Sequence, residues 1–114
     1  MGQGIVYHKE LKESGRWSSM SFFEQMGNIG SEVSRACKWK EKGKPEMMQK
    51  AFERGLELLD FTIEESKGTR LRELLRARET MCDFFVGDNV YNSTPEQMKR
   101  YFDAFAFAAE KHKM

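Results

Sequence analysis

The sequence predicts an all-α fold, specifically an antiparallel four-helix bundle preceded by a short N-terminal arm. In four stretches, apolar residues recur at the three- and four-residue spacing of amphipathic helices, and no long stretch alternates apolar and polar residues as a strand does. Glycine or proline stands between successive stretches, at the positions where helices end and begin. The 114 residues suffice for one hydrophobic core. We therefore expect an arm over residues 1–18 and a bundle domain over residues 19–114.

Two helices joined by a short turn are predicted in the first half of the bundle domain. The first begins at Ser21 and ends near Lys42, because Ser21 and Glu24 have the spacing of a capping box. The second begins at Pro45, since proline is favoured in the first helical turn, and it ends near Lys67. The short connection between the two helices predicts an antiparallel hairpin.

Two further helices are predicted in the second half of the domain. The third spans about residues 69–86 and is followed by a loop rich in asparagine, aspartate and serine. The fourth begins at Pro95, with Ser93 or Thr94 as its cap, and runs to about Lys111.

Composition restricts the classes of function. Formal net charge is +1, from 19 basic and 18 acidic residues, and this balance disfavours a dedicated nucleic-acid-binding protein. The two cysteines, Cys37 and Cys82, belong to no metal-binding spacing and no disulfide framework, a usage typical of a reducing cytoplasm. No apolar run approaches the roughly 20 residues that span a bilayer. We therefore expect a cytoplasmic protein that does not act in a membrane.

Familiar catalytic and metal-binding motifs do not occur in the sequence. There is no glycine-rich phosphate loop, no HExxH, no GxSxG and no EF-hand loop. The two histidines, His8 and His112, stand near opposite ends, and neither belongs to a Glu-x-x-His pair of the di-iron bundle type. The sequence therefore predicts no catalytic residues, no metal and no cofactor.

Arg78 is unusual because it falls within the apolar stripe of the third predicted helix. A buried guanidinium requires a carboxylate or another acceptor, since an isolated buried charge costs several kcal/mol. Glu32 and Asp60 are the candidate partners. Arg78 is thus predicted to form either a structural ion pair or part of a binding site for a carboxylate or phosphate group.

Four residues of the first predicted helix complete this candidate ligand site. Asn28, Glu32, Arg35 and Trp39 follow one another at three- and four-residue steps, so they share one flank of the helix. Arg35 precedes Trp39 by four residues, a spacing that permits cation–π stacking. This flank is interpreted either as a solvated face with a half-buried tryptophan or as a recognition surface.

Two interior glycines of the first predicted helix, Gly27 and Gly30, form a small-residue surface. Each costs roughly 1 kcal/mol relative to alanine, so the pattern indicates close approach of another helix or of a ligand. If a ligand binds here, the alternative function is a nucleotide- or RNA-binding protein, which could also be an enzyme. A ligand pocket lined by methionine and phenylalanine in the bundle core is a further alternative.

The fourth predicted helix is apolar on two faces. Phe105 lies with its core-facing residues, whereas Phe107 projects nearly opposite. A second apolar face indicates contact with another protein chain. We expect a homodimer whose interface includes Tyr101, Ala104, Phe107 and Ala108. The alternative is that Phe107 is buried within a single chain.

Three segments resemble a family of short, uncharacterised prokaryotic all-helical proteins. These segments are residues 24–33, 51–60 and 82–89, and the resemblance covers roughly residues 17–109. It implies a helical fold and no assigned activity. The predicted architecture is also similar to that of HEPN-type helical bundles, which often form dimers and include RNases with an Arg-x4–6-His motif. That motif is missing from the sequence, so the resemblance implies at most a non-catalytic relative.

Overall fold

Six α-helices make up the described part of the chain. The computed structural model describes residues 7–112, with side chains described as far as residue 107. The helices are α1 (Lys9–Glu13), α2 (Arg16–Ser19), α3 (Phe22–Glu41), α4 (Pro45–Glu64), α5 (Gly68–Val86) and α6 (Pro95–His112). No strand occurs between residues 7 and 112. The predicted all-α class is therefore confirmed.

Two of the long helices, α3 and α6, begin at side-chain capping pairs. Ser21 and Glu24 form the expected reciprocal pair at the start of α3: the Glu24 amide donates to the Ser21 hydroxyl at 3.0 Å, and the Ser21 amide donates to the Glu24 carboxylate at 3.1 Å. Thr94 and Gln97 form the equivalent pair at the start of α6, at 3.0 and 3.1 Å. These bonds satisfy amide groups that have no partner within the helix. Thr94 rather than Ser93 is thus the cap of α6.

The N-terminal segment differs from the loose arm predicted for residues 1–18. In its described part, α1 and α2 form two short helices, and polar contacts hold them against α4. The Tyr7 hydroxyl donates to the Glu53 carboxylate at 2.8 Å, and the Lys12 ammonium pairs with Glu64 at 2.5 Å. The first six residues of the predicted arm lie outside the described residues. The sequence does not predict this docking, because the paired side chains are about 50 positions apart along the chain. Local helix signals carry no information on such distant pairs.

A buried polar network fixes this segment to the helices beneath it. The indole N–H of Trp17, a side chain only 2% exposed, donates to the Thr62 hydroxyl at 3.2 Å. That hydroxyl donates to the Gln25 side-chain oxygen at 2.8 Å, and the Gln25 amide nitrogen donates back to the Trp17 carbonyl at 2.8 Å. Every link has a partner, so the network links α2, α3 and α4 without the cost of an unpaired buried group.

Helix α3 lies at the centre of the fold. It packs extensively on both α4 and α6, while α4 also packs on α5. The core is filled by buried side chains from all four long helices, among them Met26, Ile29, Leu59, Leu74 and Phe102. No helix within residues 7–112 has the length and apolar character to cross a membrane.

The two interior glycines of α3 face α6. A Cβ added at Gly30 would lie 2.6 Å from the Cβ of Phe102, which is closer than two non-bonded carbon atoms can approach. A Cβ added at Gly27 would lie 3.6 Å from the Cα and Cβ of Ala106, an ordinary contact distance. The small-residue surface is therefore occupied by α6, and of the two explanations predicted for it the structure supports helix packing.

Candidate functional site

Glu32 is the centre of an ion-pair cluster between α3 and α4. Its carboxylate accepts from the Arg54 Nε at 3.1 Å and lies 3.2 Å from an Arg35 guanidinium nitrogen. The side chain is only 12% exposed, whereas that of Arg35 is 56% exposed. Gly55 makes this approach of the helices feasible, because a Cβ there would lie 3.2 Å from the Glu32 Cβ. Arg54 belongs to the cluster, although nothing in the sequence beyond its charge marks it as a partner of Glu32.

Arg78 forms a bidentate pair with Asp60 of α4. The Nε donates to one carboxylate oxygen at 2.7 Å and an Nη to the other at 3.2 Å. This hydrogen bonding raises the pKa of Arg78, so the guanidinium stays charged. Both side chains are about 40% exposed, so the pair lies at the edge of the core rather than within it. Asp60 is thus the partner among the two candidates, and the geometry is that of a structural ion pair.

The two ion pairs lie on different sides of α4. Arg54 and Asp60 are six residues apart, which separates them by about 9 Å along the helix axis and by about 120° around it. Arg54 faces α3 and Asp60 faces α5, as their partners show. The structure therefore places Glu32 and Arg35 in one cluster and Arg78 in another, and binding of a ligand at either cluster stays a prediction.

The remaining two predicted ligand residues have local roles. The Asn28 amide nitrogen donates to the Glu24 carbonyl one turn earlier, at 2.8 Å, and its side chain is exposed. Trp39 is half-buried against the core, with the Lys42 ammonium 5.4 Å from its ring centroid. The cation that stacks on this ring is therefore Lys42 and not the expected Arg35, which turns toward Glu32.

The predicted interface residues of α6 do not share one face. Phe107 is 67% exposed and Ala104 is exposed, so both lie on the solvent side. Tyr101 is half-buried, and its ring centroid lies 5.0 Å from that of Phe102 and 5.3 Å from that of Phe105. Tyr101 therefore faces the interior of the chain, and its part in a dimer interface stays a prediction. Ala108 lies outside the residues with described side chains.

A cavity of about 300 Å³ lies between α5 and α6. Its apolar wall comes from the buried side chains of Met81, Met98 and Phe102, and the ring of Tyr101 also lines it. The Tyr101 hydroxyl is enclosed and has no hydrogen-bond partner among the described residues. Burial raises the pKa of Tyr101 to about 12, with a smaller contribution from the negative charge of Glu73. A pocket lined by methionine and phenylalanine could be expected from the sequence, but the sequence does not show that it lies between α5 and α6.

The two cysteines are poorly suited to thiolate chemistry. Burial raises the pKa of Cys37 to about 11, and burial also raises the pKa of Cys82. Both thiols therefore remain protonated near neutral pH, and a protonated thiol is a weak nucleophile and a weak metal ligand. Among the described residues, no group of three or more His, Cys, Asp and Glu side chains is placed to hold a metal ion.

Comparison of the chain with protein-family models, curated proteins and solved structures gives no match. The resemblance to short prokaryotic helical proteins and to HEPN-type bundles therefore stays a prediction. Functional conclusions for this protein depend on its own geometry, in particular on the exposed face of α6.

Proposed function

We propose that the chain is a cytoplasmic, non-catalytic interaction module that forms a homodimer through the solvent-facing side of α6. In this proposal, α3 to α6 act as an antiparallel four-helix bundle that presents the interface. The observation that carries the proposal is the 67% exposure of Phe107, one turn beyond the exposed Ala104. Aromatic side chains are enriched at protein interfaces relative to the rest of the surface. The cytoplasmic location is proposed from the cysteine usage.

Charge on the same face favours a second copy as the partner. Asp103 and Arg100 are both exposed and lie one and two turns before Phe107. A face that carries one cation and one anion is self-complementary, because a two-fold axis can place Arg100 of each copy against Asp103 of the other. The small net charge of +1 adds little repulsion between copies. Charged residues around an apolar anchor also match the polar rim of protein interfaces.

The experiment is native mass spectrometry with sedimentation equilibrium on wild-type protein and on Phe107→Glu. The wild type is expected at twice the chain mass of 13.4 kDa. Phe107→Glu is expected to weaken the dimer by about 30-fold or more, because it replaces an aromatic anchor with a charge. Val90→Glu is the matched control, since Val90 is 70% exposed outside α6 and its replacement should leave the mass unchanged.

Two outcomes would contradict the proposal. A wild-type protein that stays monomeric at high micromolar concentration would exclude the homodimer. A dimer that Phe107→Glu leaves intact would exclude this face. A nucleotide or RNA fragment bound to the purified protein would instead support the alternative function, and low-salt titration with labelled RNA would then be compared for wild type and Arg35→Ala.

A further inference from the structure

The two short helices at the N-terminus are held to the rest of the fold in different ways. Helix α2 carries Trp17, which is fully buried and bonds to Thr62 in the interior. Helix α1 has no buried residue, and its one apolar side chain, that of Leu11, is half-buried against the core. Burial of apolar surface therefore fixes α2 in place, whereas α1 depends mainly on polar contacts.

Residues 7–14 contact α4 through a row of glutamates on one side of that helix. The row consists of Glu53, Glu57 and Glu64. Its middle member, Glu57, accepts a hydrogen bond from the Tyr7 amide at 3.2 Å and bonds to His8 Nδ1 at 2.6 Å. The Glu57 side chain is only 12% exposed, so this is the most enclosed contact of the segment.

The contacts at the two ends of the row are open to solvent. Glu53, which accepts from the Tyr7 hydroxyl, and Glu64, which pairs with Lys12, are both exposed. Exposed ion pairs are weak, and dissolved salt weakens them further. The Lys12 ammonium also lies 5.2 Å from the centroid of the Phe61 ring, so this side chain covers part of that ring.

The junction between α1 and α2 has the properties of a hinge. Gly15 joins the two helices with a φ of 81°, a left-handed conformation that favours glycine. No atom of the described residues lies within 4 Å of a Cβ built at Gly15, so the junction is not packed against other elements. Helix α1 has five residues, which is too short to persist without tertiary contacts. Loss of its contacts with α4 therefore unfolds α1 and leaves the anchor of α2 intact.

We propose that residues 7–14 form a hinged latch, which opens and closes over α4 about Gly15 while Trp17 stays docked. The structure shows the closed state. The open state exposes the glutamate row of α4 and part of the Phe61 ring, so the latch controls access to an acidic side of the bundle. Because salt screens the contact between Lys12 and Glu64, higher ionic strength favours the open state. The latch contacts α4 and is therefore independent of the dimer proposed through α6.

Hydrogen exchange followed by NMR at about 20 and about 300 mM sodium chloride tests the latch. The amides of Lys12 and Ser14 report on it, since they bond to carbonyl groups one turn earlier in the same segment. The indole N–H of Trp17 reports on the anchor. Protection is measured against an unfolded peptide of the same sequence at the same salt concentration. We expect the latch amides to be protected at least about tenfold less than the indole, and to lose a further two- to fivefold at the higher salt concentration.

Lys12→Met is the matching variant, because it keeps an apolar stem over Phe61 and removes the charge. It should lower the protection of the Ser14 amide by about two- to fivefold at low salt, remove most of the salt effect and leave the Trp17 indole unchanged. Lys9→Met makes the same change at an exposed position of α1 and should alter neither reporter.

Three results would overturn the latch. Equal protection of the latch amides and the Trp17 indole at both salt concentrations would show that the N-terminal segment opens only with the whole fold. Latch amides without protection at low salt would show that the closed state is not populated. A loss of indole protection in Lys12→Met would show that α1 and α2 detach together, without a hinge at Gly15.

Discussion

The contact between α3 and α6 can be tested by making one substitution at two glycines. Alanine at Gly30 places its Cβ 2.6 Å from the Phe102 Cβ, about 1 Å inside the normal carbon–carbon distance. The opposing atom is next to the α6 backbone, so the helix itself must shift. Overpacking of this kind costs about 1–3 kcal/mol, offset by up to about 1 kcal/mol from the better helix propensity of alanine. We expect Gly30→Ala to lower the free energy of unfolding by about 1–2 kcal/mol.

Gly27 provides the matched control, because it lies on the same helix one turn earlier and faces the same neighbour. Its added Cβ meets Ala106 at 3.6 Å, which is ordinary van der Waals contact. Gly27→Ala is therefore expected to raise the free energy of unfolding by about 0.5–1 kcal/mol through helix propensity and a smaller unfolded-state entropy. Urea denaturation followed by circular dichroism at 222 nm measures both changes. Equal effects for the two variants would show that α6 does not press on Gly30.

Three further predictions follow from buried and half-exposed groups. Thr62→Val should lower the free energy of unfolding, measured by urea denaturation, by about 2–5 kcal/mol, because it leaves the buried side chains of Trp17 and Gln25 without their partner. Thr80→Val is the control, since the Thr80 hydroxyl bonds only within its own helix, and it should change this free energy by less than about 1 kcal/mol. Burial raises the pKa of Tyr101 from 10.0 to about 12, so the unfolded chain loses the phenolic proton first, and the free energy of unfolding falls as the pH rises from about 10 to about 12. Ultraviolet titration and thermal melts should show this loss, and Tyr101→Phe should remove it and, near neutral pH, raise stability by about 1 kcal/mol. Arg78→Ala should cost no more than about 1 kcal/mol, since its pair is half-exposed, and a larger loss in urea denaturation would mean that the pair is buried in solution.

The long helices could be predicted because their signals are local. The capping pair of Ser21 and Glu24, the first-turn prolines and the apolar spacing act within a few residues, and the helix bounds agree with them closely. The N-terminal segment was predicted less well because its structure depends on distant partners. The Trp17 indole bonds to Thr62, 45 residues away, and no local pattern contains that pairing.

The candidate sites show the same division between local and distant information. Asp60 could be named as a partner for Arg78 because a charge in an apolar stripe requires one. The pairing of Arg54 with Glu32 depends on the close approach of α3 and α4 at Gly55, which spacing within one helix does not reveal. The inward direction of Tyr101 depends on how α6 is rotated against α3, and that rotation is set by the glycine contacts. The cavity beside it follows from the same packing.

The proposed homodimer is tested most directly by NMR on a mixed sample of labelled and unlabelled wild-type protein. Filtered experiments detect only contacts between the two kinds of chain. The proposal predicts cross-peaks between the Phe107 ring of one copy and α6 of the other, including the methyl group of Ala104. Cross-peaks that involve other helices and exclude α6, or no cross-peaks at a concentration where sedimentation shows a single 13.4 kDa species, would contradict it.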